Sequence, residues 1–257
     1  MVYRMASVFT EQEYRFALRL PETGYLLVTS QHSNSVLACQ PDGKVISEIK
    51  EDFNQPQGMA YHEEDKELYV VDRHNHCVKV LDAKFDLVRT IGVGQLNQPV
   101  GIALDKEWVC VADNENHRVA VFSKDGTLST FLGRGFGPGR GQLFCPCGIA
   151  AYKDLLIVAE WGNGRIQVFQ GDRSILVLEG AAHAHSVTVS PQGFVYYAMY
   201  SSKSVGRFRI EYDNEVDTPR FTLETFSLEL KEPPISVFWD EKGLGVVTAN
   251  RVEFHGP

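Results

Sequence analysis

Three stretches of this chain repeat one another: LYVVDRHNHCVKVL from Leu68, VCVADNENHRVAVF from Val109 and LIVAEWGNGRIQVF from Leu156. In each, a run of β-branched and aromatic residues ends at an acid. An Asn follows three residues later, and a second alternating run closes the unit. Two such runs around a short polar stretch describe a β-hairpin, and its recurrence points to a repeat architecture. A short strand with an early glycine precedes each hairpin, in QPQGMAY (Gly58), QPVGIAL (Gly101) and CPCGIAA (Gly148), and a further strand follows, as in LVRTIG and LSTFLG. One repeat is therefore four strands. Asp72, Asp113 and Glu160 are 41 and 47 residues apart; a weaker copy places Met199 39 further on, and Ser30 lies 42 before Asp72. A shortened copy, PPISVFWDEKGLGVVTANRVEF, contains three strands near 235–239, 244–248 and 251–255, with a tight turn at Ala249 and Asn250.

Six units of this size use almost the whole chain and predict an all-β, six-bladed propeller of four-stranded antiparallel blades, a single domain over residues 1–257. The last unit is one strand short. Residues 2–9, VYRMASVF, read as the strand that completes it and closes the ring.

The phrases VADNENHRVAVF and AEWGNGRIQVF, with their preceding Pro-x-Gly-Ile-Ala strands, resemble NHL repeats. The resemblance implies a propeller of the kind found in TRIM-NHL proteins, in related RING ubiquitin ligases and in a peptide-amidating lyase. Fold alone does not choose among those activities.

Composition narrows the classes. No run of eighteen apolar residues is present, so no membrane-spanning helix is expected. MVYRMASVFTEQEYRF lacks the apolar stretch of a secretory leader, and five cysteines at unrelated repeat positions read as free thiols; both point to a cytoplasmic protein. A formal net charge of -8 opposes indiscriminate nucleic-acid binding, so DNA is not an expected partner. The acid run EEDKE at 63–67 reads as a solvated turn. A monomeric propeller is expected.

In a propeller the loops leading into the inner strands and the loops within the middle hairpins emerge on one face, here called the top, where sequence varies without disturbing the blades. A binding surface is expected there from Arg73, His74, Arg134, Phe136, Arg140, Trp161, Tyr200 and Lys203. The longest loop, GRGFGPGRGQLFCP at 133–146, reads as mobile, basic and aromatic at once. It precedes a strand rather than a helix, which removes the context of a phosphate-binding glycine loop. Trp161 replaces the Arg73 and Asn114 of the other copies and is a candidate partner anchor; the alternative is packing on Phe136 or Phe144. The repeated residues have structural readings. Asp72 and Asp113 are expected to accept N–H groups of their own hairpin loops, Asn75, Asn116 and Asn163 to take the left-handed backbone conformation, and Arg118 and Arg165 to pair with acids.

The residue before each inner-strand glycine, or its equivalent, should face the channel mouth: Gln57, Val100, Cys147, His185 and Ile235. His185-Ser186 resembles the His-Ser strand start of the amidating lyase, whose family supplies three such histidines for zinc. His185 alone matches here, so no metal or other cofactor is expected. Cys147 and His185, with Cys145 or His183 nearby in sequence, are the candidates for a thiolate-imidazole site or a nucleophilic pair. The inner strands GMAY, GIAL, GIAA and SVTV offer few of the carboxylates and amides that a calcium-dependent hydrolase needs, and read as an apolar, tightly filled centre. A non-enzymatic scaffold is expected, recognising protein through its top face; the resemblance implies the substrate-recognition part of a ubiquitin ligase. Single-stranded RNA is the alternative partner, with arginines on phosphates and aromatic rings on bases.

Overall fold

A computed structural model describes residues 2–4, 14–40, 43–212 and 218–255. Alternating and β-branched runs become six four-stranded antiparallel sheets, five of them with their strands in chain order from the centre outward and the sixth completed by a strand from the other end of the chain. Blade one is Tyr14–Arg19, Leu26–Ser30, Ser35–Cys39 and Val45–Ile49; blade two is Pro56–His62, Glu67–Asp72, Cys77–Leu81 and Leu87–Ile91. Blade three is Ile102–Leu104, Trp108–Asp113, Arg118–Ser123 and Leu128–Leu132, and blade four is Pro146–Tyr152, Leu155–Glu160, Arg165–Gln170 and Arg173–Leu178. Blade five has longer outer strands, Ser204–Tyr212 and Pro219–Glu229, after Ala184–Val189 and Phe194–Met199. Blade six is Ser236–Asp240, Gly243–Val247 and Val252–His255, its hairpin tied by Thr248 N–H donating to the Arg251 carbonyl at 2.9 Å.

Val2–Arg4 lies outermost in the sixth sheet, antiparallel to Val252–His255. Residues 5–9 of the expected N-terminal strand fall outside the described residues. The seam between blades six and one has further ties. Arg19 Nε reaches Asp240 Oδ2 at 2.6 Å, and Tyr14 N–H donates to the Ala249 carbonyl at 3.1 Å.

The core lies between blades, because each strand sends alternate side chains to opposite faces of its sheet. Tyr69, Val71 and Val80 of blade two pack with Val109, Val111 and Phe122 of blade three; Ile157 and Val168 of blade four pack with Val195 and Phe208 of blade five. Around the axis the inner strands approach so closely that a side chain does not fit at the repeated glycines. A Cβ on Gly101 would lie 2.2 Å from the Cys147 carbonyl oxygen, and one on Gly148 would lie 2.5 Å from Ser186 Cα. The missing side chains also leave space. A channel cavity of about 250 Å³ is lined by Gly58, Gly101, Gly148, Ser186, Val237 and neighbouring residues, where the sequence reading expected a filled centre.

Candidate functional site

The repeated acids hold the top face together, but not as expected. Asp72 accepts the N–H of Asn54 at 2.7 Å, Asp113 that of Asn97 at 2.7 Å, and Glu160 that of Phe144 at 3.0 Å. Each donor belongs to the loop leading into the same blade, sixteen or eighteen residues upstream, rather than to the hairpin loop. Ser30 of blade one does bond locally, accepting from Ser33 N–H at 3.3 Å. Asn75, Asn116 and Asn163 are likewise reassigned: their side-chain amides donate to those acids at 2.8, 2.8 and 2.6 Å. The left-handed position is the next residue, His76 (φ 55), His117 (φ 54) or Gly164 (φ 61). The cationic partners come from the same hairpins, with Lys79 on Asp72, Arg118 on Asp113 and Arg165 on Glu160 at 2.7–2.9 Å.

The left-handed residue also reaches the next blade. Asn34 Oδ1 accepts the N–H of Gln55 at 2.8 Å, His76 Nδ1 that of Gln98 at 3.0 Å, and His117 Nδ1 that of Cys145 at 3.3 Å. Accepting through Nδ1 requires each of these imidazoles to leave that nitrogen unprotonated. Gly164 occupies the equivalent place in blade four, so no side chain can make the bond to blade five there.

Loop 133–146 is ordered by hydrogen bonds, contrary to the expected mobility. Arg165, only 2 % exposed, donates to the carbonyls of Pro138, Gly139 and Gln142, the last two at 3.0 and 2.9 Å. Gln167 donates to the Gln142 carbonyl at 2.7 Å and accepts the N–H of Gly141 at 2.9 Å. Gly141, at φ 80, turns the chain at that point.

The predicted binding residues separate into four places. Phe136, 60 % exposed, packs against His117 and Phe144 with ring centroids 4.9 and 4.8 Å away. Trp161 turns toward blade five, not onto Phe136 or Phe144: its ring lies 4.7 Å from His183, 5.5 Å from Tyr200 and 5.7 Å from His185. Its direction follows from crowding, since Phe144 fills the space beside Gly162. Tyr200 remains 40 % exposed, and Lys203 is exposed at φ 51 in the same hairpin. His74 is exposed on blade two, while Arg73 donates to Gln98 Oε1 at 3.0 Å across the seam to blade three. Arg134 and Arg140 line a separate cleft with Arg173, a residue that sequence reasoning missed because it lies at the start of an outer strand.

At the channel mouth Gln57, Val100, Cys147 and Ile235 are buried, and His185 is half-buried. Cys147 Sγ accepts from Asn114 Nδ2 at 3.3 Å, and burial pushes its thiol up to about 12. Cys145 instead has its Sγ 3.9 Å from His117 Nδ1. His185 Nδ1–H donates to the Ile235 carbonyl at 2.8 Å, leaving Nε2 without a proton in the neutral ring. Burial, aided by the charges of Arg15 and Arg73, lowers its pKa from 6.5 to about 4. A protonated thiol and a weakly basic imidazole are poorly matched for nucleophilic chemistry near neutrality. Among the described residues, no three His, Cys, Asp or Glu side chains converge to hold a metal.

The lowered His185 pKa makes acid unfavourable to the fold. The unfolded chain binds this proton first, so stability is retained above 6.5 and is lost as pH falls toward 4. Urea unfolding between pH 7 and 5 is expected to show a smaller loss in His185→Gln than in the parent; equal losses contradict this source.

These features define a six-bladed propeller with its loops gathered into an ordered top face. The NHL-repeat family signature matches residues 53–81 and 96–122, which span the middle hairpins of blades two and three. NHL repeat-containing protein 2 from Gallus gallus is 28 % identical over 100 residues, an alignment covering 33 % of this chain and 14 % of that protein. The match thus spans a small part of the longer relative. Among solved structures, a catalytically inactive virginiamycin B lyase from Staphylococcus aureus with quinupristin has a TM-score of 0.67 at 12 % identity, covering 98 % of each chain. A chain from a nidogen/laminin complex gives 0.70 at 16 % identity, covering 88 % of this chain and 84 % of that one. At such identities the likeness is one of fold.

No helix of the described residues is long and apolar enough to cross a membrane.

Proposed function

We propose that this chain is a non-enzymatic scaffold that recognises a protein partner through the top of blades four and five, as the substrate-recognition part of a ubiquitin ligase would. The aromatic surface carries this reading: half-buried Trp161 is flanked by Tyr200, 40 % exposed, while Phe136 stands 60 % exposed on the adjoining loop. Aromatic side chains held by neighbours supply large contact area with little ordering cost, which is the usual composition of interface anchors. The acids of the repeat are occupied within the fold, so they neither repel nor recruit a ligand strongly.

The test is capture from matched lysate by wild type and a Phe136→Ala, Trp161→Ala, Tyr200→Ala variant, with and without ribonuclease. Proteins identified by mass spectrometry should be retained by wild type after nuclease and lost by the variant. Purified partners should bind the Trp161→Ala protein at least about thirtyfold more weakly, as expected for an anchor of about 2 kcal/mol. Nuclease-sensitive capture with co-purified RNA would instead favour the RNA reader. Retention by the variant equal to wild type removes the aromatic face from either role.

A further inference from the structure

Arg134 and Arg140, from loop 133–146, converge with Arg173 of blade four on a cleft of about 260 Å³ that also contains Gly141, Ser174 and Ile175. Arg140 Nη1 donates to the Ser174 carbonyl at 3.1 Å. Among the described residues none of these three guanidinium groups forms an ion pair, whereas Arg19, Arg89, Arg118, Arg165, Arg207, Arg209 and Arg251 all do. Three unneutralised cations in one cleft repel one another, and in a chain of net charge -8 their grouping runs against the overall balance. An anion held among them relieves that repulsion.

The cleft is prepared by the buried network beneath it. Gln167 Oε1 accepts both Gly141 N–H at 2.9 Å and Ser174 Oγ–H at 2.7 Å, fixing the loop against the outer strand. Gln167 is in turn held by Glu160 at 2.8 Å. Little loop ordering therefore remains to be done on binding.

A second cavity of about 360 Å³ lies between blades three and four, lined mainly by apolar residues such as Trp108, Phe131, Leu132 and Phe169 and also by Asp105, Lys153 and Asp154. Gly171 and Asp172, which also line it, immediately precede Arg173 in the chain. One short segment thus joins a cationic cleft to a mainly apolar groove, with Asp172 between the two.

We infer that the cleft binds a phosphorylated serine or threonine of a protein segment, with an apolar side chain of that segment in the adjoining groove. A phosphomonoester presents three peripheral oxygens and about two negative charges, which match three guanidinium forks better than a singly charged carboxylate does. A polynucleotide fits less well, since its charge extends beyond the cleft into the field of an acidic protein. The inference deepens the protein-recognition reading and rests on it, but uses different residues from the aromatic face.

The probe is acetyl-Ala-Phe-Ala-phosphoserine-Ala-Phe-Ala-amide, titrated into the full chain and followed by arginine Nε–Hε resonances. Its serine counterpart, inorganic phosphate and decauridylate are run alongside. Saturable shifts of Arg134, Arg140 and Arg173 with the phosphopeptide are expected, with none from the serine peptide and at least about tenfold weaker binding of phosphate alone. Arg140→Gln with Arg173→Gln should weaken the phosphopeptide by about tenfold or more while leaving the backbone amide spectrum folded. Absence of saturable binding, equal binding of inorganic phosphate, tighter binding of decauridylate, or an unaffected double variant each overturns the assignment. Lost peptide binding with partner capture still dependent on Trp161 overturns this inference alone; lost Trp161 dependence with peptide binding intact overturns only the aromatic reading.

Discussion

Glu160→Ala is expected to lower the unfolding free energy by about 3–5 kcal/mol, because it strips the close, buried counter-charge from Arg165 and leaves only the exposed Glu179 carboxylate, 3.6 Å away. Arg165 and Glu160 have side-chain exposures of 3 % and 0 %, with Nε and Oε1 2.7 Å apart. The variant also removes the acceptor for Phe144 N–H, Asn163 Nδ2 and Gln167 Nε2. Stabilities of whole domains are about 5–15 kcal/mol, so a loss of this size is a large part of the total. Urea unfolding of the parent, Glu160→Ala, Arg165→Met and the double variant would separate the pair from its desolvation cost. The double variant should lie closer to the parent than the sum of the single losses. Asp113 supplies an internal comparison: Arg118 is 29 % exposed, so water can solvate it after Asp113→Ala, and the loss should be smaller. If Glu160→Ala costs less than Asp113→Ala, burial is not what makes the blade-four pair important.

Gly148→Ala should cost about 3 kcal/mol, from the upper part of the usual range for overpacking. The added carbon would lie 2.5 Å from Ser186 Cα and 2.7 Å from Val187 N, both backbone atoms of the neighbouring inner strand. A side chain can rotate away from a clash; a strand already paired in its sheet must shift with its blade. Gly171→Asn is the matched control. Gly171 has φ 58 but nothing within 4 Å of an added Cβ, and Asn tolerates that conformation. Calorimetry should therefore show a large fall in Tm for Gly148→Ala and a small one for Gly171→Asn. Similar falls would mean that strand approach at the channel is not the constraint.

The fold was readable because its information is local and repeated. The alternation of Leu68–Leu81, the acid at its centre and Gly58 before it recur often enough to fix strands, order and blade number. Partner choice was less readable because it depends on tertiary proximity. Asp72 was expected to accept backbone N–H groups of its own hairpin loop, yet the N–H it accepts is that of Asn54, brought alongside by closure of the same blade. Once the acid is occupied in that way, the Asn of the motif serves it by side chain and the following residue takes the turn.

The candidate sites show the same division. Exposure of Phe136 and Tyr200 could be anticipated from loop placement, whereas the direction of Trp161 depended on which side Phe144 had filled. Arg134 and Arg140 stood out as basic residues among glycines. Arg173 did not, because only the crossing of loop 133–146 over blade four brings it beside them.

Gly164 changes the nature of one joint in the ring. Polar latches tie blades one to two, two to three and three to four through Asn34, His76 and His117. At the following seam, Trp161 of blade four instead lies against His183 and Tyr200 of blade five. Hydrogen-bonded latches demand direction, while packed rings allow sliding within contact. A partner that grips Trp161 would therefore touch both blades at a joint whose top is closed by stacked rings and whose interior is closed by a shared apolar core.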